Sequence, residues 1–365
     1  MAEIPTCLGL IVRPVDVPMR RPLQTSGRAV SSAPLVLVDL LTDAGVTGRA
    51  YAFVYQALAL KPVVALLEGL GERLKGKPLD PEAIWLGHQA AFRLIGAQGL
   101  ATMALATIDM AAWDALAKFK GLPLARLLGA APKPIQAYNS NGLGIIGPER
   151  AAAEAVELLA PGFKGVKARL GYPDAATDLA VVRAVRAAIG PDVPLMSDYN
   201  QFLSVQDART RVAMLDGEGL YWIEEPVRAD DYDGHAEIQR MARTPIQMGE
   251  SCWGPNDVAK ALMAGASDYL MPDAMKVGGV TGWLRAAKLA EAANVPVSSH
   301  LFPEISVHLL AATPTAHWLE YVDWAEPILR QPVRIENGRG VAADAPGVGI
   351  EWDEQAVARY GFGTR

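Results

Sequence analysis

From about residue 131 onward, short apolar runs alternate with alanine-rich helical stretches, and this alternation constrains the fold more than any other feature of the chain. The runs are "PIQAYNS", "FKGVKARL", "VPLMSDYN", "GLYWIEEP", "PIQMGES", "DYLMPDAM", "VPVSSHLF" and "AHWLEYV". Strands this short cannot close a core by themselves, and strand-then-helix order makes successive strands parallel, with each helix as the crossover. Eight such units predict an α/β fold: a (β/α)8 (TIM-like) barrel, or a modified one, over residues 131–322. The repetition lies in the pattern only.

Residues 1–130 have a different texture. After an opening strand, "SAPLVLVDLLTDAGVTGRA" reads as a hairpin with "DAG" at its turn, and "TMALATIDMAAWDALAKFKGLPL" as a helix ended by Gly121 and Pro123. This is an α+β unit. The tail, residues 323–365, is rich in glycine and turns and is expected to pack back on that first unit.

In a parallel barrel the C-terminal strand ends converge on one mouth, where polar groups are functional candidates. Here they are Lys167 and Arg169, Asp198 and Asn200, Glu224 and Glu225, Glu250, Asp273 and Lys276, His300, and Glu320. Lys167 and Arg169 share one face of a strand, since side chains repeat every second residue. A solvated edge would explain an isolated pair of this kind, but not a series of charged ends on seven consecutive strands.

Asp198, Glu224 and Glu250 follow one another at intervals of 26 residues, one per strand. Three carboxylates side by side in a low-dielectric mouth repel unless a cation joins them. An all-oxygen set without Cys or His suits a hard ion such as Mg2+. Asp273 and His300 close adjacent strands, and a carboxylate beside an imidazole fixes its tautomer and raises its basicity. His88, His235, His308 and His317 read as structural. Lys276 precedes "VGGVTGW", where Gly278 and Gly279 suggest a turn into a helix N-terminus, a weak anion-site signal.

Bulk properties exclude several classes. The 365-residue chain carries 34 Lys plus Arg against 40 Asp plus Glu, a formal charge of −6, so a nucleic-acid partner is not expected. Cys7 and Cys252 are its two cysteines, too few and too far apart for a disulfide framework. The sequence shows no secretory leader pattern and no run of 18 apolar residues, so the expected setting is cytoplasmic, without a membrane partner.

The stretches "APLVLVDL", "IDMAAWDALAK", "SDYNQ", "WIEEP", "MPDAMKVGGVTGW", "SSHLFPEIS" and "LLAATPTAHWLE" resemble the enolase superfamily, specifically its mandelate racemase subgroup, along almost the whole chain. The resemblance implies a capping domain from the N-terminal segment and the tail, closing over a modified barrel, and a symmetric homo-oligomer. It implies Mg2+ ligands at Asp198, Glu224 and Glu250, a general base His300 paired with Asp273, and Glu320 as an acid toward the substrate carboxylate. Lys167 would neutralise that carboxylate and Asn200 would polarise a hydroxyl of a 2-hydroxy carboxylate substrate. Ser140, at the end of the first barrel strand, and Lys276 join the substrate-binding candidates. The loops "RRPLQTSGRAVSSAP" and "YAFVYQAL" resemble substrate-covering segments and offer Leu23, Val30 and Tyr55, with Arg28 adding charge.

The departure is Arg169, where the racemase pattern has a second lysine acting as base on the face opposite the histidine. Deprotonating an arginine at pH 7 costs roughly 7 kcal/mol or more. One base suffices for dehydration of an acid sugar: His300 removes the α-proton and then helps a β-hydroxyl leave. The alternatives are a racemase or epimerase of a mandelate-like acid, with Lys167 or an activated Arg169 on the second face, and a non-catalytic binding barrel.

Overall fold

The computed structural model describes residues 4–27 and 29–363; Arg28 lies outside them. The first unit is an antiparallel sheet of Cys7–Gln24, Ala29–Thr42 and Thr47–Phe53, with the long second strand in the middle. Residues 33–40 of that strand are buried on both faces. One face packs on the helices Leu60–Leu74 and Leu100–Phe119. The other carries Asp39, which pairs with Arg13 (2.6 Å) and Arg49 (3.1 Å) and accepts from the Trp352 indole of the tail at 2.8 Å. The helix Leu100–Phe119 is long and apolar enough by composition to cross a membrane, but 78% of the qualifying window is buried inside the fold, where it serves as the core helix of this unit.

The eight barrel strands run in sequence order. The first six are Ile135–Asn139, Val166–Arg169, Leu195–Asp198, Leu220–Glu224, Ile246–Met248 and Tyr269–Leu270, parallel wherever they pair. The seventh is held by isolated bridges, Leu270 to Val297 and Asp273 to His300, and the eighth, Leu319–Tyr321, pairs with the first to close the ring. Helices follow the first seven strands, and the short turn Glu326–Ile328 follows the eighth. The barrel is modified at its last unit for this reason. Val166 and Ala168 face the surrounding helices within an apolar cluster, so Lys167 and Arg169 face inward, 1% and 4% exposed, and the solvated-edge reading fails.

The tail has two attachments. Its hairpin, Arg334–Glu336 with Arg339–Val341, adds antiparallel to the start of the first barrel strand at Gln136 and Ile135. Its end, from Trp352 through the helix Glu354–Tyr360, lies on the cap, where the Phe362 amide donates to the Pro14 carbonyl.

Two contacts set the cap over the barrel mouth. The tip of the first cap hairpin reaches the barrel loops: the Ile145 amide donates to the Gln24 carbonyl at 2.7 Å, and the Ser26 hydroxyl to that of Tyr199 at 3.5 Å. Asp109, from the core helix of the cap, accepts from the Thr281 amide (3.0 Å) and hydroxyl (2.6 Å) at the start of the barrel helix Gly279–Ala292. The anion expected at this helix N-terminus is thus the protein's own carboxylate, which burial pushes up to about 7. A β-carbon on Gly279 would stand 2.3 Å from the Asp109 oxygen, and its φ of +78° favours glycine as well.

Candidate active site

Short strands ending at the same level of the barrel project their last side chains into one small volume. The oxygens of Asp198, Glu224 and Glu250 lie within 4.8 Å of one another. Lys167 stands against the cluster with its ammonium 2.5 Å from Glu224, 2.9 Å from Glu320 and 3.4 Å from Asp198. Burial opposes its charge, yet Glu224, Glu320 and Asp198 together hold Lys167 well above its ordinary value. Burial and the neighbouring carboxylates push Glu224 up, with Lys167 only partly offsetting them.

These residues fit a hard divalent cation. The donors are carboxylate oxygens at mutually compatible distances, and like-charge crowding of this kind is relieved by a cation. Asn200 donates from its backbone (2.7 Å) and side chain (2.9 Å) to the two oxygens of Asp198, orienting that carboxylate, while its own buried carbonyl oxygen has no protein partner. Trp222 (3.1 Å) and Gln247 (3.3 Å) similarly fix the second oxygen of Glu224.

On the opposite wall His300 Nδ1 lies 2.7 Å from Asp273, and Nε2 lies 3.2 Å from Glu250 and 4.0 Å from Glu320. Burial works against the imidazolium, but Glu250, Glu320 and Asp273 outweigh it and raise His300. Asp273 also accepts from the Met275 and Lys276 amides, so its carboxylate is anchored from behind. Glu320 accepts from the Ser140 hydroxyl at 2.7 Å and the Leu301 amide at 2.8 Å. Burial would raise this carboxyl, yet Lys167, His300 and the Leu301 amide keep it well below the usual carboxylate range.

Arg169 lies in the same wall as Lys167 but is bound differently. One terminal nitrogen donates to the carbonyls of Ser140 (2.7 Å), Gly142 (3.0 Å) and Lys167 (3.3 Å), and the other to the Ser140 hydroxyl (2.9 Å). Lys276 lies on the His300 side, 3.3 Å from the Ser251 hydroxyl, 3.8 Å from Glu250 and 4.6 Å above the Tyr55 ring. Leu23 and Val30 pair across the end of the cap hairpin.

The structure therefore brings Lys167, Arg169, Asp198, Asn200, Glu224, Glu250, Asp273, Lys276, His300, Glu320, Ser140 and Tyr55 into one connected site. Sequence reasoning placed Glu225 among the strand-end candidates without a specific role, and did not single out Gln201 or Ser251. Glu225 is buried, accepts from the Gly249 amide at 3.2 Å and is pushed up to about 8 by burial and by Glu250. Gln201 donates to Ser251 (3.3 Å) and accepts from the Ala229 amide (3.0 Å). The doubled acid in "WIEEP" was the available signal for Glu225; the other two carried none. Tyr55, Asn200, Gln201, Glu225, Leu301 and Phe302 all take left-handed backbone around this mouth, a conformation that persists only where the surroundings enforce it.

Residues 8–129 match the family model "Mandelate racemase / muconate lactonizing enzyme, N-terminal domain", and residues 150–356 match "Enolase C-terminal domain-like". The chain belongs to the mandelate racemase branch of the enolase superfamily. It is 31% identical over 96% of its length to the L-talarate/galactarate dehydratase of Salmonella typhimurium, covering 88% of that protein. A solved Bradyrhizobium enolase complexed with magnesium and mandelic acid is 45% identical with a TM-score of 0.95, covering 99% of each chain. The structure of the Salmonella dehydratase with Mg and L-lyxarohydroxamate is 29% identical with a TM-score of 0.92, covering 98% of this chain and 93% of that one. This enolase-superfamily member shares with them a capping domain and a C-terminal barrel.

Proposed function

We propose that this chain is a Mg2+-dependent dehydratase that removes the α-proton of a 2-hydroxy carboxylate, of the acid-sugar class, and expels water from the β-carbon. One observation favours one-base over two-base chemistry: both terminal nitrogens of Arg169 are bound, to three backbone carbonyls and the Ser140 hydroxyl. With Arg169 committed to structure, and Lys167 locked among Asp198, Glu224 and Glu320, the His300 imidazole is the proton acceptor that remains.

Asp198, Glu224 and Glu250 would hold the cation, which supplies positive charge where the substrate carboxylate gathers electrons. Lys167 would favour that charge from the other side, while the Ser140 hydroxyl, donating to Glu320 and accepting from Arg169, holds those two groups in place. Asp273 keeps the His300 proton on Nδ1, leaving Nε2 to accept the α-proton. The imidazolium so formed returns that proton to the departing β-hydroxyl as water leaves, yielding an enol that becomes a 2-keto acid. Proton count and charge balance without a further reactant.

A second reading, racemisation of an aryl 2-hydroxy acid, is favoured by the Bradyrhizobium relative crystallised with mandelic acid and by Leu23, Val30 and Tyr55 in the cap. Incubation with Mg2+ and a panel of acid sugars tests the first reading, and no 2-keto acid from any of them overturns it. Exchange in D2O from both mandelate enantiomers, with inversion, establishes the second. We further propose a homo-oligomer, supported by Leu94 and Ile95, 92% and 80% exposed side by side on the cap, with sedimentation as its test, and a cytoplasmic setting, tested by cell fractionation.

A further inference from the structure

His300 is followed by two bulky residues in left-handed conformation, Leu301 at φ 51° and Phe302 at φ 48°, and this elbow determines where the imidazole can stand. The seventh strand is bonded to both neighbours, with the Ser298 amide donating to Leu270 and the Ser299 amide to Trp318, but this ladder ends where the His300 amide donates to the Pro272 carbonyl at 3.2 Å. Other contacts enforce the elbow. The Leu301 amide donates to Glu320 at 2.8 Å, and the Ser306 hydroxyl to the Leu301 carbonyl at 2.9 Å. Both come from the barrel.

The remaining contacts come from the cap. Tyr51, in the third strand of the cap sheet, lays its ring 5.1 Å from that of Phe302. Its hydroxyl donates at 2.7 Å to Glu304, the second residue of the helix that begins at Pro303. Both partners are buried, Tyr51 at 5% and Glu304 at 5% exposure, and no cation pairs with Glu304 among the described residues. Burial pushes Glu304 up to about 7, with Tyr51 its principal hydrogen-bond donor. Besides its own amide, this buried carboxyl has the hydroxyl from the cap as its side-chain donor, and leaving such a group short of a partner is costly, so the contact resists separation.

We infer that Tyr51, through Phe302 and Glu304, is a positioning residue of the cap that aims His300 at the substrate. The inference rests on the proposed role of His300 as base. Tyr51 touches neither the metal ligands nor the reacting atoms. It holds the elbow at Phe302 and Glu304 while Glu320 holds it at Leu301, so cap and barrel both grip the backbone just beyond the base. Small misplacement of a proton acceptor is expensive in rate while leaving binding intact.

The test is Tyr51→Phe in the full-length protein, which keeps the ring and removes the hydroxyl. We expect kcat to fall between about tenfold and a hundredfold, with KM and the Mg2+ dissociation constant, measured by calorimetry, within about threefold of wild type. The primary deuterium isotope effect on kcat should rise as proton removal becomes more rate-limiting. Glu304→Gln, which keeps an acceptor for the hydroxyl, should recover most of what Glu304→Leu loses. A crystal structure of Tyr51→Phe should show the imidazole displaced from Asp273 and the elbow rearranged. A lowered melting temperature with unchanged kcat, isotope effect and ring position would assign Tyr51 to stability alone and overturn the inference. If Tyr51→Phe does not fold, the Phe302→Leu variant carries the same expectations. Wild-type protein inactive on every 2-hydroxy acid would refute the proposed function, and the crystallographic result would still decide whether Tyr51 places the ring.

Discussion

The two walls of the barrel mouth are built from the same kinds of side chain and end in opposite conditions. On one, Lys167 and Arg169 have every strong partner inside the protein: three carboxylates for the lysine, carbonyls and a hydroxyl for the arginine. On the other, His300 is anchored through Nδ1 while Nε2 meets Glu250 and Glu320 at longer range. A lysine locked among three carboxylates and an arginine held through both terminal nitrogens, with only its Nε left without a protein partner, act as fixed charge. An imidazole secured at one nitrogen can exchange a proton at the other.

The largest expected effect comes from taking away the ion that both walls face. Chelation should abolish turnover and added Mg2+ should restore it; turnover persisting in chelator would break the comparison at its base. Next, His300→Asn should lower turnover by about 10^2 to 10^4-fold while Mg2+ affinity, read by calorimetry, stays near wild type. A loss below tenfold would transfer the base to the lysine wall.

A buried histidine without function supplies the third contrast. His308, on the helix after the elbow, is pulled down to about 4 by burial, where His300 is raised by its carboxylates. A folded value below the unfolded 6.5 means stability that is present above pH 6.5 and lost as pH falls toward 4. Replacing His308 by Gln should narrow the stability difference between pH 7 and pH 4 by up to about 3 kcal/mol, measured by urea unfolding at each pH. An unchanged difference would mean that His308 does not titrate differently in the two states. The smallest effect is expected of Arg169→Lys, which leaves buried carbonyls short of donors and should cost about 1–3 kcal/mol in the same assay. A neutral result would show that Arg169 is not the fixed structural cation described here.

The even spacing of Asp198, Glu224 and Glu250 was legible because each acid closes one strand and parallel strands end at one level. Lys167 was legible for the same reason. What Arg169 does with its guanidinium was not, since its partners are carbonyls of a loop 27 and 29 residues earlier, and backbone acceptors leave no mark in sequence. The Tyr51 to Glu304 bond spans 253 residues and joins a strand position to a helix position that each look like ordinary core sites. The elbow was also hidden: "VPVSSHLF" has the composition of a strand throughout, but its ladder runs only as far as His300, where Leu301 and Phe302 turn the chain in left-handed conformation.

Asp109 filling the end of the helix that starts at Gly279 bears on how such proteins can be recombined. A cap transplanted from a relative must arrive with a carboxylate at that position, and the receiving barrel must present a glycine to admit it. Without the carboxylate, two donors of Thr281 are left dry; without the glycine, the carboxylate collides with a β-carbon. The two halves thus form a lock and its key, and chimeras that exchange one half should fail at this junction before they fail at the chemistry.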